Sequence, residues 1–460
     1  MQWYPFALGL SIIACAVSAR GAQDEHGPRL AHQLQSLGYE NICVETTDST
    51  LVVWCENRRI RYPVVWMVEA LALAAAAVPP ETEVRVVAEK LARPVVSLAA
   101  KADDVRRWMS GELPTEEFRE RLEVAFSGSD SPSARENPSL RRVDLTIGPG
   151  RLLSQFGVPG VWIKAHFDVS AELATALAPG MTAYGRMFVP LHNRGGPVDG
   201  DDRYNELRLG SFLVSYFHSI SSIAFSTVTA GLFELGNWRY DSYGVMLDLR
   251  HYTPDGRWTI GGSVGCLASA RYRVLNDRTD RYRVWEIAWP PRNSPYEALI
   301  SYWHEGFDLR ITGRWGRYLN GDHAWKLEIE RTFGEVGLAV FGIKSDAQFS
   351  GADRVDRQNV RLLGGVRIEI PLYPRQRGMP ERFRVTSAST FAWTYRYRVG
   401  HVGVDVATKH GVEDLIAGYN PSAVRNNLER ARAQVRASHF QEERVRRGVT
   451  TSLFTGNETP

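Results

Sequence analysis

Lysine is nearly missing from this 460-residue chain: Lys90, Lys101, Lys164, Lys326, Lys344 and Lys409 are the six lysines among 55 Lys plus Arg. Arginine supplies the rest. That bias suits fixed, planar pairing with carboxylates inside a lumen, or it reflects a GC-rich genome. Surplus charge is lacking too, since a net charge of +3 is too small for a dedicated nucleic-acid binder. Disorder is excluded by a hydrophobic content of 44%.

Long apolar runs are absent beyond the N-terminus. Residues 64–78 come nearest to the roughly 18 consecutive apolar residues of a membrane helix, but Glu69 interrupts them and Pro79-Pro80 ends them. Any membrane insertion therefore uses strands. Signatures of chemistry are also missing. The glycines sit within strand patterns or hairpin turns, so no phosphate-cradling loop is present, and no His/Cys/Asp cluster has metal-ligand spacing. We expect no cofactor and no metal. His and acidic residues adjoin at Asp322-His323 and Trp303-His304-Glu305 without a nucleophilic Ser in an activating context, which leaves an outer-membrane lipid-modifying hydrolase as a minor alternative to a non-catalytic protein.

Cysteine is scarce, at four residues. Cys15 lies in the N-terminal apolar run. Residues 1–22 have the form of a secretory signal with a small-residue site at Val17-Ser18-Ala19, and Ile12-Ile13-Ala14-Cys15 offers lipidation of Cys15 as the alternative. Cys43 and Cys55 flank the turn residues Thr47-Asp48-Ser49, so a hairpin centred there sets them opposite each other and makes them a candidate disulfide; two separately buried thiols are the alternative.

Alternation is what the chain has in abundance. In Trp325-Lys326-Leu327-Glu328-Ile329-Glu330 the odd positions are apolar and the even ones charged, and in Val366-Arg367-Ile368-Glu369-Ile370 the even positions are apolar instead. Val245-Met246-Leu247-Asp248-Leu249-Arg250 and Phe307-Asp308-Leu309-Arg310-Ile311-Thr312 do the same. Each predicts a two-faced strand. Fourteen such runs follow one another within residues 142–400, punctuated by turns such as Pro254-Asp255-Gly256. Behind an export signal, these predict a transmembrane antiparallel β-barrel of about 12–14 strands, so the fold class is mainly β.

With the apolar faces toward lipid, Asp248, Arg250, Asp308, Arg310, Arg314, Lys326, Glu328, Glu330, Arg367 and Glu369 are the candidate lumen-facing residues. Mixed charges of this kind either plug a barrel through ion-paired networks or line a polar channel.

Residues 23–126 read differently and form a small α/β domain expected in the periplasm. A hairpin precedes a helix at 63–77 with Pro at its first position; short β-branched runs at 83–87 and 94–98 lead to helices at 102–110 and 115–122, the last with Thr115 as N-cap. Residues 127–141, with Ser127-Gly128-Ser129-Asp130-Ser131-Pro132-Ser133, make a linker. Beside the helix start, Arg58, Arg59, Arg61 and Tyr62 are a candidate partner contact for an acidic polymer or a protein loop, or they solvate the helix entry at Pro63. Residues 401–460 form a C-terminal tail whose helical stretch 421–447 is rich in Arg, suited to an anion or membrane surface or simply wet.

The order of Leu207-Arg208-Leu209-Gly210, Thr229-Ala230-Gly231-Leu232-Phe233-Glu234, Tyr243-Gly244-Val245-Met246 and Gly256-Arg257-Trp258-Thr259-Ile260-Gly261-Gly262 resembles the YjbH-type exopolysaccharide biosynthesis family of outer-membrane proteins. Leu37-Gly38-Tyr39-Glu40-Asn41 and Trp108-Met109-Ser110-Gly111-Glu112-Leu113 are similar to that family's α/β domain. The likeness covers most of residues 30–375. It implies an outer-membrane barrel that meets outer-membrane lipid and works with periplasmic and lipoprotein partners in assembly or export of an exopolysaccharide or capsule. Two departures stand out: longer relatives carry a further barrel ahead of the α/β domain, and this sequence ends without the terminal aromatic of barrel-assembly signals. A general small-solute porin is the expectation from another class.

Overall fold

The computed structural model describes residues 26–47, 49–58, 60, 62–127, 132, 134–158, 161–194, 207–233, 240–276, 281–287, 294–318, 322–333, 336–346, 362–372, 383–387, 390–397 and 411–446. The export-signal reading, with Cys15, lies outside them, as do Arg59 and Arg61.

The first domain is a five-stranded sheet flanked by helices. After α1 (His26–Ser36), β1 (Glu40–Thr46) and β2 (Thr50–Glu56) pair antiparallel, and α2 (Pro63–Ala77) crosses back so that β3 (Glu83–Lys90) joins β2 in parallel. β4 (Arg93–Lys101) and β5 (Glu123–Phe126) follow antiparallel, with α3 (Ala102–Ser110) and α4 (Thr115–Arg121) between them, giving the order β1-β2-β3-β4-β5. Tyr62 is extended ahead of Pro63, which fixes the start of α2. Leu91 and Ala92, between β3 and β4, both adopt left-handed backbone at φ 54° and 58°. A tight hairpin requires this and usually recruits Asn-Gly; here the buried Glu56 carboxylate accepts both of their N–H groups at 3.1 Å. Thr115 is not an N-cap. Pro114 takes that place, and the Thr115 hydroxyl accepts from Trp108 Nε1 at 3.0 Å and donates to Glu429.

The register of β1 and β2 corrects the disulfide. Cys43 pairs with Trp54, so Cys55 is one residue out of step and its side chain takes the opposite face of the sheet. Cys55 is fully buried among the core residues, Cys43 is half-buried, and both thiols are free.

The second sheet contains β6 (Val143–Val158), β7 (Val161–Ala178), β8 (Met181–Arg194), β9 (Arg208–Ser221), β10 (Ala224–Phe233), β11 (Tyr240–Tyr252), β12 (Trp258–Asn276) and β13 (Arg281–Ile287). It continues through β14 (Tyr296–His304), β15 (Leu309–Arg317), β16 (His323–Phe333), β17 (Val336–Ser345), β18 (Leu362–Pro371), β19 (Phe383–Ser387) and β20 (Thr390–Tyr397). Neighbours run β11-β10-β9-β8-β7-β6-β20-β18-β17-β16-β15-β14-β12-β13, and β11 pairs with β12 as well. Hydrogen-bonded neighbours thus lead from β11 through thirteen strands back to β11, with β13 and β19 as side branches of the fifteen. Thirteen is odd, so directions cannot alternate all the way round; the one mismatch is at β6, where β19 and β20 pair in parallel.

Brief connections, Pro179-Gly180 and Ser222-Ile223 among them, gather at one end of the strands. The first domain sits at the brief end. Gly180, at φ 78°, donates to Leu91 O at 2.7 Å and accepts from Phe217 N at 2.7 Å, where any Cβ would collide with the Phe217 carbonyl. Phe126 at the end of β5 packs on Phe225 and Tyr252, ring centroids 5.7 and 5.0 Å away.

The C-terminal tail is neither a separate appendage nor a wet helix. α5 (Val412–Ile416), α6 (Pro421–Asn426) and α7 (Leu428–Arg446) return to the first domain, where Leu428, Ala431 and Val435 enter the same core as α2. That explains why α2 is apolar on every side: the sheet covers one face and α7 another. Arg425 donates to Val124 O at 2.9 Å and Arg432 to Trp108 O at 3.2 Å.

Candidate functional site

Strand alternation sorts the large sheet into two faces of opposite character. On one face Leu327 is 52% exposed, Trp325 65%, Val340 55% and Phe212 58%. On the other, Thr227, Thr229, Thr312, Ser215 and Asp168 are buried. Every exposed large hydrophobic residue among the described ones lies at Leu140 or beyond, and the first domain has none. Inside, Ser215 and Thr229 share a hydrogen bond at 3.0 Å and Ser301 and Thr312 one at 2.9 Å, so these four buried hydroxyls satisfy each other.

The charged residues of β14 to β18 meet on that inner face. Arg314 holds Glu297 of β14 at 3.0 Å, and Arg310 holds Glu330 at 2.5 Å. Arg367 reaches Glu328 at 3.1 Å, Glu330 at 3.6 Å and Glu369 at 3.3 Å. β17 lies between these strands, and the contact across it depends on Ala339, which is the register partner of both Glu330 and Arg367 and is too small to separate them. Lys326 sits over the Tyr318 ring at 3.8 Å. Asp248 and Arg250 of β11 pair with each other. Asp308 is the exception: it follows a 3-10 turn at Glu305–Phe307, adopts left-handed backbone at φ 49° and meets Asn426 rather than an inner strand position. The alternation in the sequence ran on unbroken into a turn, which is why periodicity misplaced it.

Glu413 of α5 completes the array and carries no periodic signal that would reveal it. Its two carboxylate oxygens accept from Arg310 and Arg314, each at 2.8 Å, while Val412 N donates to Asp248 at 2.9 Å. α6 then latches onto the brief-turn rim. Asn420 donates to Gly256 O at 2.9 Å, and Ser422 Oγ contacts Asp255 O and the Glu305 carboxylate, both at 2.8 Å. Glu297 was legible as a charge at an inward position of a predicted strand.

The basic segment is split. Arg58 is not an exposed contact: it is largely buried, pairing with Glu40 at 2.6 Å and with Asp144 of β6 at 2.6 Å. Arg142 adds a 2.7 Å contact to Glu40, and Arg384 of β19 a 2.9 Å contact to Asp144. Burial alone would raise the Glu40 carboxyl, but the Arg58 and Arg142 guanidinia hold it below the ordinary range. Tyr62 packs partly buried against the domain core. The cluster joins the first domain to the seam where β6 meets β19.

The two histidine pairs do not converge on a nucleophile. Asp322 accepts from Ser345 Oγ at 2.8 Å, whereas His323 lies 3.3 Å from Asp346 on the exposed side. Glu305 is engaged with Arg257 and Ser422.

Comparison with known proteins gives one family. The YjbH model, described as exopolysaccharide biosynthesis protein YbjH, matches residues 16–373. No curated protein matches. Among solved structures, a loop L8 deletion mutant of OmpT, an outer membrane protein of Vibrio cholerae, aligns at 9% identity over 49% of this chain and 86% of that one, with a TM-score of 0.25; a likeness that slight carries no weight beside the sidedness of the strands.

Proposed function

Since the chain belongs to the YjbH family of exopolysaccharide biosynthesis proteins, we propose that it is a non-catalytic outer-membrane β-barrel that takes part in assembly or export of an exopolysaccharide or capsule, with its first domain in the periplasm beside lipoprotein and periplasmic partners. One observation carries the membrane reading: large apolar side chains face outward from the sheet while serines, threonines and ion pairs are buried behind them. That is the reverse of a water-soluble protein and the arrangement a barrel needs in lipid.

Further features support it. Among the described strands the pairing path that leads from β11 round to β12 and back to β11 supports the reading, since a bilayer disfavours unpaired strand edges. Aromatic residues mark two levels: Trp258, Phe307 and Phe333 near the brief turns, and Tyr296, Trp315 and Trp325 near the opposite ends. From Trp325 to Phe333 is roughly 26 Å along the strand at about 3.3 Å per residue, or about 20 Å of depth at a tilt near 40°, of the order of the ~25 Å apolar band of such barrels. Thirteen staves about 4.8 Å apart, tilted near 40°, give a backbone diameter of about 25 Å. Brief turns face the periplasm in outer-membrane barrels, which supports assigning the first domain to that side.

A general porin needs an open water column, and the ion ladder together with α5 occupies this interior; swelling of proteoliposomes in small sugars separates the two. The main test is deletion of the gene followed by measurement of cell-surface polysaccharide, with fractionation and heat-modifiable gel mobility of the protein. Unchanged polysaccharide would sink the export role, and recovery of the protein from the soluble fraction would sink the barrel.

A further inference from the structure

The outward face of the sheet is apolar through its middle, yet it carries charge at its ends. Among the described residues, the outward strand positions of β14 to β18 hold no carboxylate, and their permanent cations are Arg317, Arg331 and Lys344. Arg331 stands alone at the brief-turn end, its guanidinium 4.6 Å over the Phe333 ring. Arg317 and Lys344 lie together at the far end. The register gives their surroundings: Tyr296, Arg317 and His323 are successive partners across β14, β15 and β16, and one step nearer the middle Trp315, Trp325 and Lys344 are successive partners across β15, β16 and β17.

The rings beside these cations form a continuous surface. Tyr296 is 5.9 Å from Trp315 and 6.2 Å from His323, and Trp315 is 6.0 Å from Trp325, centroid to centroid. Asp346, the acid at this corner, is already engaged: its carboxylate accepts from His323 N at 2.7 Å and lies 3.3 Å from His323 Nδ1. Arg310, Arg314 and Arg367 of the inner face each hold a carboxylate, whereas the Arg317 and Lys344 side chains have no ionic or hydrogen-bonded partner among the described residues.

Height along the strands says what would meet them. Trp325 belongs to the aromatic level that borders the apolar band, and Arg317 stands two residues beyond it, about 5 Å further out at a tilt near 40°. The Cα atoms of Arg317 and Lys344 are about 12 Å apart at ordinary strand spacing, and the exposed Lys344 extends its ammonium to the polar side while its stem covers apolar surface. Lipid phosphates occupy that layer, and guanidinium and ammonium groups pair with them by charge-assisted hydrogen bonds. We propose that Arg317 and Lys344, backed by Tyr296, Trp315 and Trp325, bind the phosphorylated headgroup of an outer-leaflet glycolipid of the lipopolysaccharide class. The site rests on the outer-membrane barrel reading above, which puts the far end of the strands in the outer leaflet.

Full-length protein in detergent, its fold checked by heat-modifiable gel mobility, is titrated with lipid A carrying its phosphates and with the same lipid dephosphorylated, and bound lipid is counted by native mass spectrometry. Wild type should bind the phosphorylated form roughly tenfold or more tighter, and Arg317→Ser/Lys344→Ser should lose that margin. Lys344→Arg should keep it, as should Arg331→Ser, which removes the cation of the other rim. Equal binding by wild type and the double variant overturns the site, and so does loss of the margin in Arg331→Ser. Excess inorganic phosphate should not displace the lipid; full displacement would leave an anion site without a lipid and overturn the assignment. Fractionation of the same variants keeps the two readings apart. Failure of lipid binding with the protein in the membrane fraction sinks the site alone, whereas recovery of wild type from the soluble fraction sinks the barrel and the site with it.

Discussion

The first domain and the large sheet use the same amino acids in opposite senses. Trp108 is fully buried against Phe118, rings 4.2 Å apart, while Trp325 is 65% exposed. Glu328 and Arg367 are turned inward, yet Asp103 and Arg107 of α3 face solvent. A single hydropathy rule cannot fold both. The difference is the one expected if, as proposed above, water surrounds the domain and the outer face of the sheet meets hydrocarbon.

The largest effect that tests this contrast is at the tryptophans. Trp108→Ala should cost about 3–5 kcal/mol through lost burial and an unfilled cavity, whereas Trp325→Ala should change stability in detergent by under about 1 kcal/mol. Denaturant unfolding of the two variants in micelles measures it; similar costs would erase the distinction between the two regions.

Next come the strand faces. Leu327→Arg puts a charge on the apolar face near its middle and should cost about 2–4 kcal/mol in equilibrium folding into lipid vesicles. Glu328→Gln keeps its shape and a hydrogen bond to Arg367, so its cost should be smaller. Equal tolerance would mean that the apolar face does not meet lipid.

Within the first domain two buried carboxylates should respond to pH in opposite directions. Burial raises Glu89 from 4.5 to about 7 despite its 2.7 Å contact with Arg135. The folded state then holds the proton more tightly than the unfolded one, so stability falls as pH rises from about 4.5 to about 7, by at most about 3 kcal/mol. Glu40 is depressed, so its contribution is present above 4.5 and is lost as pH falls below that. Hydrogen exchange of β3 amides, corrected for intrinsic rate, should show the first slope, and Glu89→Gln should flatten it. A flat wild-type profile over that interval would mean that Arg135 keeps Glu89 ionised.

The smallest effect concerns the thiols. Cys43, half-buried and with its thiol pushed up to about 11 mainly by burial, should react slowly with maleimide, and Cys55 only on unfolding. A crosslinked Cys43–Cys55 peptide in non-reduced digests would refute the offset register.

Much of the fold was legible because period and punctuation are local. Pro63 and the apolar run after it marked α2 to the residue, and Trp325 to Glu330 announced a two-faced strand. Turn-bound Asp308 was misplaced because alternation does not stop where a strand does. The cysteine pair failed on the turn itself: Thr46 pairs with Leu51, and the unbroken register from there sets Cys43 opposite Trp54, one residue short of Cys55. The site was legible only in half. Inward charges on strands follow from period two, but Glu413, Asp144 and Glu40 become site residues through contacts that join distant parts of the chain, and no spacing encodes them.

The parallel seam also dictates an order of events. β6 is the first strand of the ring and β20 the last, with the side branch β19 beside it, joined across more than two hundred residues, so the contact that shuts the ring is the one with the greatest chain separation. Synthesis therefore releases β6 early, with one edge bare until the final strands arrive. Arg58 reaches Asp144 on β6 without needing any later strand, while Arg384 adds its grip on the same carboxylate when β19 docks. The first domain thus shares one carboxylate, Asp144, with both the opening strand and the strand that docks last beside it.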